Sequence, residues 1–275
     1  MRTDVSRRRL LAGGSLGVLG SLAGCLATGR SATETVTETY GTDGVDALSL
    51  IAENGSVTVE GNQGEEIEVR GHKAAPTEDA LESLTLETGR SDGHLTVETN
   101  RDETPFLIGP DAKMDLEATV PAGVRLARAE TTNGDVEVSD VTGELVADTT
   151  NGRIDVEGVD GALVADSTNG TVHAAGVNGD VRAETTNGSI DVTLAADGGD
   201  LTADTTNGEV TVRAPSSLDA SVSVSTTNGE VSIEGFDGSN VSSDGDVEVT
   251  LGDGTRTIRI ETTNGSVTIR SENAS

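Results

Sequence analysis

Carboxylates are the residues of this sequence best placed to do chemistry together. Glu130, Asp148, Asp166, Glu184 and Asp204 recur at intervals of 18, 18, 18 and 20 residues, and each is followed directly by Thr-Thr-Asn-Gly or Ser-Thr-Asn-Gly. If each repeat is one coil of β-structure, these acids stack in a column with steps of about 4.8 Å. Like charges so close raise one another's pKa or recruit cations. The column therefore reads first as a solvated acidic face screened by salt, with a weak ladder for loosely bound Ca²⁺ or Mg²⁺ as the sharper alternative. Glu137, Asp155 and Asp191 form a second column, interrupted by His173. His72, His94 and His173 lie far apart and in no metal-ligand spacing, so they read as surface residues. Asp197-Gly198-Gly199-Asp200 and Gly252-Asp253-Gly254 match neither an EF-hand nor a nonapeptide calcium repeat, and read as turns. There is no GxxxxGK[ST] and no strand-then-GxGxxG fingerprint. No catalytic residue, dedicated metal site or cofactor is expected.

The elements that position these acids are set by a repeat. Asn-Gly recurs at Asn133, Asn151, Asn169, Asn187, Asn207, Asn228 and Asn264. After each Gly and one polar residue comes an alternating run, such as Val136/Val138, Ile154/Val156 and Ile190/Val192. Alternation at period two is a strand with one buried face. In the repeat that starts at Asn151 the inward set is Ile154, Val156, Val159, Leu163, Ala165 and Ser167. Asn-Gly supplies φ > 0 without strain and marks a tight corner. A second corner falls at Gly158-Val159-Asp160-Gly161. The fold class is all-β: a parallel β-solenoid, or β-helix, of about 18-residue coils. Asn-Gly between alternating strands is also a hairpin signal, so an antiparallel meander or barrel is the alternative. The interval of 36 residues before Asn264 reads as two repeats, with Ser243-Asp244-Gly245 as the hidden corner.

The N-terminus reads as an address. Ser6-Arg7-Arg8-Arg9-Leu10-Leu11 looks like a twin-arginine export signal, with Arg7 and Arg8 as the signal pair. The stretch from Leu10 to Gly24 is too short and Gly-rich to span a bilayer. It ends in Leu22-Ala23-Gly24-Cys25, which looks like a lipobox. In such signals cleavage leaves a diacylglycerol-modified cysteine, here Cys25, as the new N-terminus. Two acyl chains hold stably at a membrane where one would not. The organisation expected is a signal peptide over 1–24, a lipidated cysteine and flexible tether over 25–43, a β segment capping the stack over 44–124, and the Asn-Gly solenoid over 125–272. The expected location is the extracellular face of the cell membrane, with the membrane as one partner through the lipid.

Charge narrows the partners. The chain has 48 Asp plus Glu against 18 Lys plus Arg, a net of −30. The first 24 residues hold four Arg and one Asp, which leaves 14 basic and 47 acidic groups and a net of −33 on the remainder. Nucleic-acid binding needs the opposite sign. Only two Lys, many acids and few large apolar residues resemble the proteins of extreme halophiles. Self-repulsion of that size is screened when the Debye length falls to about 3 Å at 1 M salt. One Cys allows no intrachain disulfide, and three aromatic residues leave little for a sugar cleft. Of the sequons Asn54, Asn169, Asn187, Asn240, Asn264 and Asn273, those at repeat corners make poor acceptors, so glycosylation is expected only at Asn240 and Asn273.

Met114-Asp115-Leu116-Glu117-Ala118-Thr119-Val120-Pro121-Ala122-Gly123-Val124, followed by Thr-Asn-Gly-Asp-Val-Glu-Val, resembles the "putative adhesin" family of unknown function, over about residues 45–270. The resemblance implies a β-helix or solenoid and brings no catalytic residues. Two function classes follow. The first is a non-enzymatic surface lipoprotein with a rigid acidic body, an adhesin or envelope scaffold that meets surface polymers or proteins. The alternative is a β-helical enzyme acting on acidic polysaccharide, which would need clustered basic residues to neutralise uronates. The repeats offer only scattered Arg153, Arg182 and Arg213.

Overall fold

A computed structural model describes residues 29–101, 111–236 and 240–272. Arg7, Arg8, Cys25 and Asn273 lie outside the described residues. The repeats pair in parallel, which decides between the two architectures. Leu145–Asn151 pairs with Leu163–Asn169 with Asp148 opposite Asp166 and Asn151 opposite Asn169. Ile154–Asp160 pairs with Val172–Val177 in the same way. Each coil thus places one strand in an 11-stranded sheet and the next in a 12-stranded sheet, with the Asn-Gly corner between them. The fold is an all-β solenoid of two long, mostly parallel sheets. At about 4.8 Å per strand the larger sheet runs roughly 50 Å. Among the described residues the one helix is Glu78–Glu82, capped by Thr77.

The core lies between the sheets as columns of aliphatic side chains. Leu145, Leu163, Val181 and Leu201 form one column and Ile154, Val172, Ile190 and Val210 another, all at most 5% exposed. A third column is Ala147, Ala165, Ala183 and Ala203 in the central coils, and becomes Ile260 and Val224 towards the C-terminal end. Coils this narrow are filled by aliphatics, which is why three aromatic residues suffice.

The Thr-Thr-Asn-Gly corner divides its work residue by residue. The first Thr (or Ser167) is buried and donates its hydroxyl to the glycine carbonyl of the preceding rung, as in Thr149 to Gly134 at 2.9 Å and Thr185 to Gly170 at 3.0 Å. The second Thr faces solvent. The Asn amides form one continuous ladder. Each Nδ2 donates to the Oδ1 of the rung before it, through Asn54, Asn133, Asn151, Asn169, Asn187, Asn207, Asn264 and Asn228 in that order, at 2.8–3.0 Å. The glycine is required for a different reason from the one its sequence suggests. Gly134, Gly152, Gly170, Gly188, Gly208 and Gly229 are not in the left-handed region. Their backbones approach instead: a Cβ on Gly170 would sit 1.8 Å from the Gly152 carbonyl oxygen. Positive φ is found at the second corner, at Gly158 (72°) and Gly176 (65°), and among the Asn-Gly corners only at Gly55 (135°) and Gly265 (158°) of the described residues.

Both ends depart from sequence order. The strands Arg256–Asn264 and Val267–Ser271 insert between the Asn207 and Asn228 coils. The interval of 36 residues is therefore not two successive repeats. Val241–Ser243 and Val247–Leu251 instead close the end as antiparallel cap strands, on Val231–Glu234 and Ala220–Asn228. Ser243 ends the first of these cap strands, Asp244-Gly245 turns towards the second, and the tripeptide adds no rung. At the other end the Asn54 coil inserts between the Asn133 coil and the pair His94–Arg101 and Lys113–Pro121. Residues 44–124 thus supply rungs of the stack as well as its cap.

Ten of the residues expected to belong to a flexible tether over 25–43 are a strand instead. Ala32–Gly41 is an edge strand, paired antiparallel with Glu66–Ala75 over ten residue pairs. Thr at every second position (Thr33, Thr35, Thr37 and Thr39) favours a strand without an apolar period. Lys73, 9% exposed at its side chain, bonds Glu34 at 2.9 Å, and Thr35 meets His72 Nδ1 at 3.1 Å.

Candidate functional site

The outer face of the 11-stranded sheet carries the first acid column. Glu130, Asp148, Asp166, Glu184 and Asp204 are consecutive in register. Glu261 follows Asp204 as a sixth member, because its coil is the inserted one. Two residues earlier on the same face stand Arg128, Arg182 and Arg259. They pair with Glu130 at 2.7 Å and with Glu184 and Glu261. At the matching positions Asp148, Asp166 and Asp204 have Val146, Val164 and Thr202. Glutamates and aspartates therefore divide: each Glu has its own guanidinium and each Asp does not.

The three aspartates respond accordingly. Burial holds the carboxyl of Asp148 above its ordinary pKa, and the charges of Glu130 and Asp166 push the same way. Burial also raises Asp166, opposed by Arg182. Asp204 is raised by burial and by Glu261, opposed by Arg182 and Arg259. Asp166 Oδ1 is buried with no hydrogen-bond partner among the described residues. Asp148, Asp166, Glu184, Asp204 and Glu261 line an open groove of about 620 Å³ together with the exposed threonines Thr168, Thr186, Thr206 and Thr263. The groove offers a carboxylate at five successive rungs, arginine-paired at Glu184 and Glu261 and unpaired at the aspartates, and Ser225 takes the acid's place on the sixth.

The 12-stranded sheet carries the second column, with Glu137, Asp155, His173 and Asp191 in register. Arg213 pairs with Asp191. Asp155, Glu157 and His173 converge, with one ligand atom from each within 4.8 Å of the others. The other two histidines are elsewhere and engaged: His72 with Thr35 and Glu117, and His94 Nε2 with Ser49 at 2.8 Å. The two acidic loops are turns with structural partners. Arg256 donates to the carbonyls of Gly199 and Ala195, at 2.9 Å from Nε and 3.0 Å from Nη1, and Asp200 Oδ1 accepts from Thr257 N at 2.7 Å. Asp219 accepts from Thr255 N at 2.9 Å, and this and neighbouring backbone donors hold its carboxyl below the usual range. Asn240 is exposed and its Oδ1 accepts from Gly235 N at 3.1 Å.

Residues 79–270 match the family described as Toastrack DUF4097. The chain belongs to this family. The Toastrack match begins inside the helix Glu78–Glu82, so it leaves out the edge strand and the Asn54 coil, which the fold nonetheless builds into the stack. Among solved structures the chain is similar to a "putative adhesin" of Bacteroides fragilis, at 14% identity and a TM-score of 0.46, over 86% of this chain and 97% of that one. It is also similar to a "putative cell adhesion protein" of Clostridium sporogenes, at 14% identity and a TM-score of 0.35, over 88% of this chain and all of that one. A "putative lipid binding protein" of Parabacteroides distasonis follows, at 10% identity and a TM-score of 0.39, over 86% and 96%. At these values the likeness concerns the β architecture alone. No curated protein matches the chain.

Proposed function

We propose that this Toastrack protein is a non-enzymatic, lipid-anchored surface protein that presents its acid and threonine columns to envelope polymers or proteins. The observation that carries this reading is the registered repetition of a polar outer position and an exposed threonine from rung to rung, with a carboxylate at five successive rungs of the groove. A pocket discriminates by converging unlike groups on one point. A face that offers acid and hydroxyl groups at a regular step favours repetitive partners, whose weak contacts add through multivalency. Loosely held cations belong at Asp148 and Asp166, the adjacent pair without arginines. The alternative, an enzyme on acidic polysaccharide, loses ground because Arg182 and Arg213 are paired with acids in this fold.

Anchoring at Cys25 would hold the body close to the membrane. The edge strand starts at Ala32, seven residues after Cys25. Fully extended, seven residues reach at most about 25 Å. A lipid on Cys25 would hold the N-terminal cap, and with it one end of the rod, near the bilayer. The test is partitioning of the native protein. Wild type is expected with membranes and Cys25→Ser in the medium; identical partitioning of the two would overturn the anchor. A pull-down from native membranes in high salt then identifies the partner. Capture that survives Asp148→Asn with Asp166→Asn would remove the groove from the proposal.

A further inference from the structure

We propose that Asp155, Glu157 and His173 form a surface site for one divalent transition-metal ion, with Zn²⁺ as the probe of choice. Asp155 and Glu157 are i and i+2 on the strand Ile154–Asp160, so they share its outer face. His173 lies opposite Asp155 on the neighbouring strand Val172–Val177. Glu157 has Ala175 as its cross-strand neighbour, which leaves room for its carboxylate to lean towards the imidazole. The three ligand atoms already lie within 4.8 Å of one another. Bonds of about 2.0–2.2 Å at tetrahedral angles put ligand atoms roughly 3.3–3.6 Å apart. The site therefore closes by about 1 Å of side-chain rotation on a backbone that the parallel ladder holds fixed. Three protein ligands leave a fourth position for water.

Two further observations separate this cluster from the acid columns. It contains a nitrogen donor, and imidazole suits Zn²⁺, Ni²⁺ and Cu²⁺, whereas Ca²⁺ and Mg²⁺ take oxygen. Their side chains are also unengaged: among the described residues none of the three side chains has a hydrogen bond or ion pair, while those of His72 and His94 do. The next acid in the column, Asp191, is held by Arg213, so His173 meets its uncompensated partners on the Asp155 side.

The test is a calorimetric Zn²⁺ titration of the full chain carrying Cys25→Ser, which removes the one thiol. It is run at neutral pH in molar KCl with a large excess of Mg²⁺ to occupy oxygen-only sites. One Zn²⁺ per chain is expected to bind in spite of the Mg²⁺. His173→Gln and Asp155→Asn should each weaken it by roughly tenfold or more, and Asp148→Asn should leave it unchanged. NMR should show the His173 imidazole shifting while those of His72 and His94 stay. Circular dichroism checks that the variants remain folded. No Zn²⁺ binding above Mg²⁺, binding unaltered by His173→Gln, or binding lost equally in Asp148→Asn would each overturn the site. The proposal does not rest on the surface-protein reading, so neither test decides the other.

Discussion

Gly170→Ala is the substitution through which the stack can be interrogated most sharply. A Cβ at this position would lie 1.8 Å from the Gly152 carbonyl oxygen and 3.2 Å from Ser167 Oγ. Carbon and oxygen need about 3.3 Å, so the two rungs must part locally by more than 1 Å. Three hydrogen bonds cross that gap: Gly152 N to Asn169 O at 3.2 Å, Asn169 Nδ2 to Asn151 Oδ1 at 3.0 Å, and Ser167 Oγ to Gly152 O at 3.1 Å. At about 1 kcal/mol each, the loss is about 3 kcal/mol. That is a large share of the 5–15 kcal/mol typical of a folded domain, and corresponds to a fall of about 6–12 °C in Tm for a chain of this size. Gly89→Ala is the control. Nothing lies within 4 Å of its would-be Cβ, and its φ is not left-handed, so a change of at most about 1 kcal/mol towards stability is expected. Both variants are compared by denaturant titration in high salt. If Gly170→Ala matched the control, the close approach of successive corners would be wrong.

Two further outcomes follow from the charged groups. Asp166 has a raised pKa from burial and an unpartnered Oδ1. The folded state therefore holds its proton more tightly than the unfolded chain, where Asp titrates near 3.9. Stability from this group rises as pH falls from its folded value towards 3.9 and is absent above that window. Asp166→Asn should raise Tm at neutral pH, with the gap to wild type closing near pH 4; a lower Tm at neutral pH would refute the reasoning. Arg256, part-buried, ties the inserted C-terminal coil to the Gly199 loop. Arg256→Ala should cost about 2 kcal/mol and loosen that coil first, read as faster amide exchange over residues 256–271 than over residues 145–193.

Period-two alternation and the spacing of Asn-Gly carried most of the fold. The inward set read from the Asn151 repeat, from Ile154 to Ser167, is buried throughout. What escaped is the order of the rungs. Ser-Thr-Thr-Asn-Gly at Asn228 and Glu-Thr-Thr-Asn-Gly at Asn264 fit equally well on the Asn207 coil, because a parallel ladder asks only that like sit on like. Which coil goes where is fixed by the cap strands and by Arg256, contacts far apart in sequence. The strand at Ala32–Gly41 escaped because Thr and Glu alternate there without an apolar face. The corner glycines were legible, but left-handed φ and close approach leave the same residue in the sequence. In the site, the acid column was legible from spacing alone. Its sixth member, Glu261, depended on the rung order. The arginines two residues before the glutamates needed the outer face of the strand to be seen as one surface. His173 read as a break in the second column, and its convergence with Glu157 appears only once Ala175 is placed beside that glutamate.

The central claim is that the C-terminal coil lies between the Asn207 and Asn228 coils, since the amide ladder and the sixth carboxylate both depend on it. Engineered cysteines test it directly in a Cys25→Ser chain. Thr206 and Thr263 sit on adjacent rungs, since their flanking residues pair in register. Their Cα atoms, about 5 Å apart, are within disulfide range. Thr206 and Thr227 are two rungs apart, about 9–10 Å, beyond that range. Under mild oxidation Thr206→Cys with Thr263→Cys should form an intrachain disulfide and Thr206→Cys with Thr227→Cys should not. The reverse result would mean that the coils stack in sequence order, and would contradict the account.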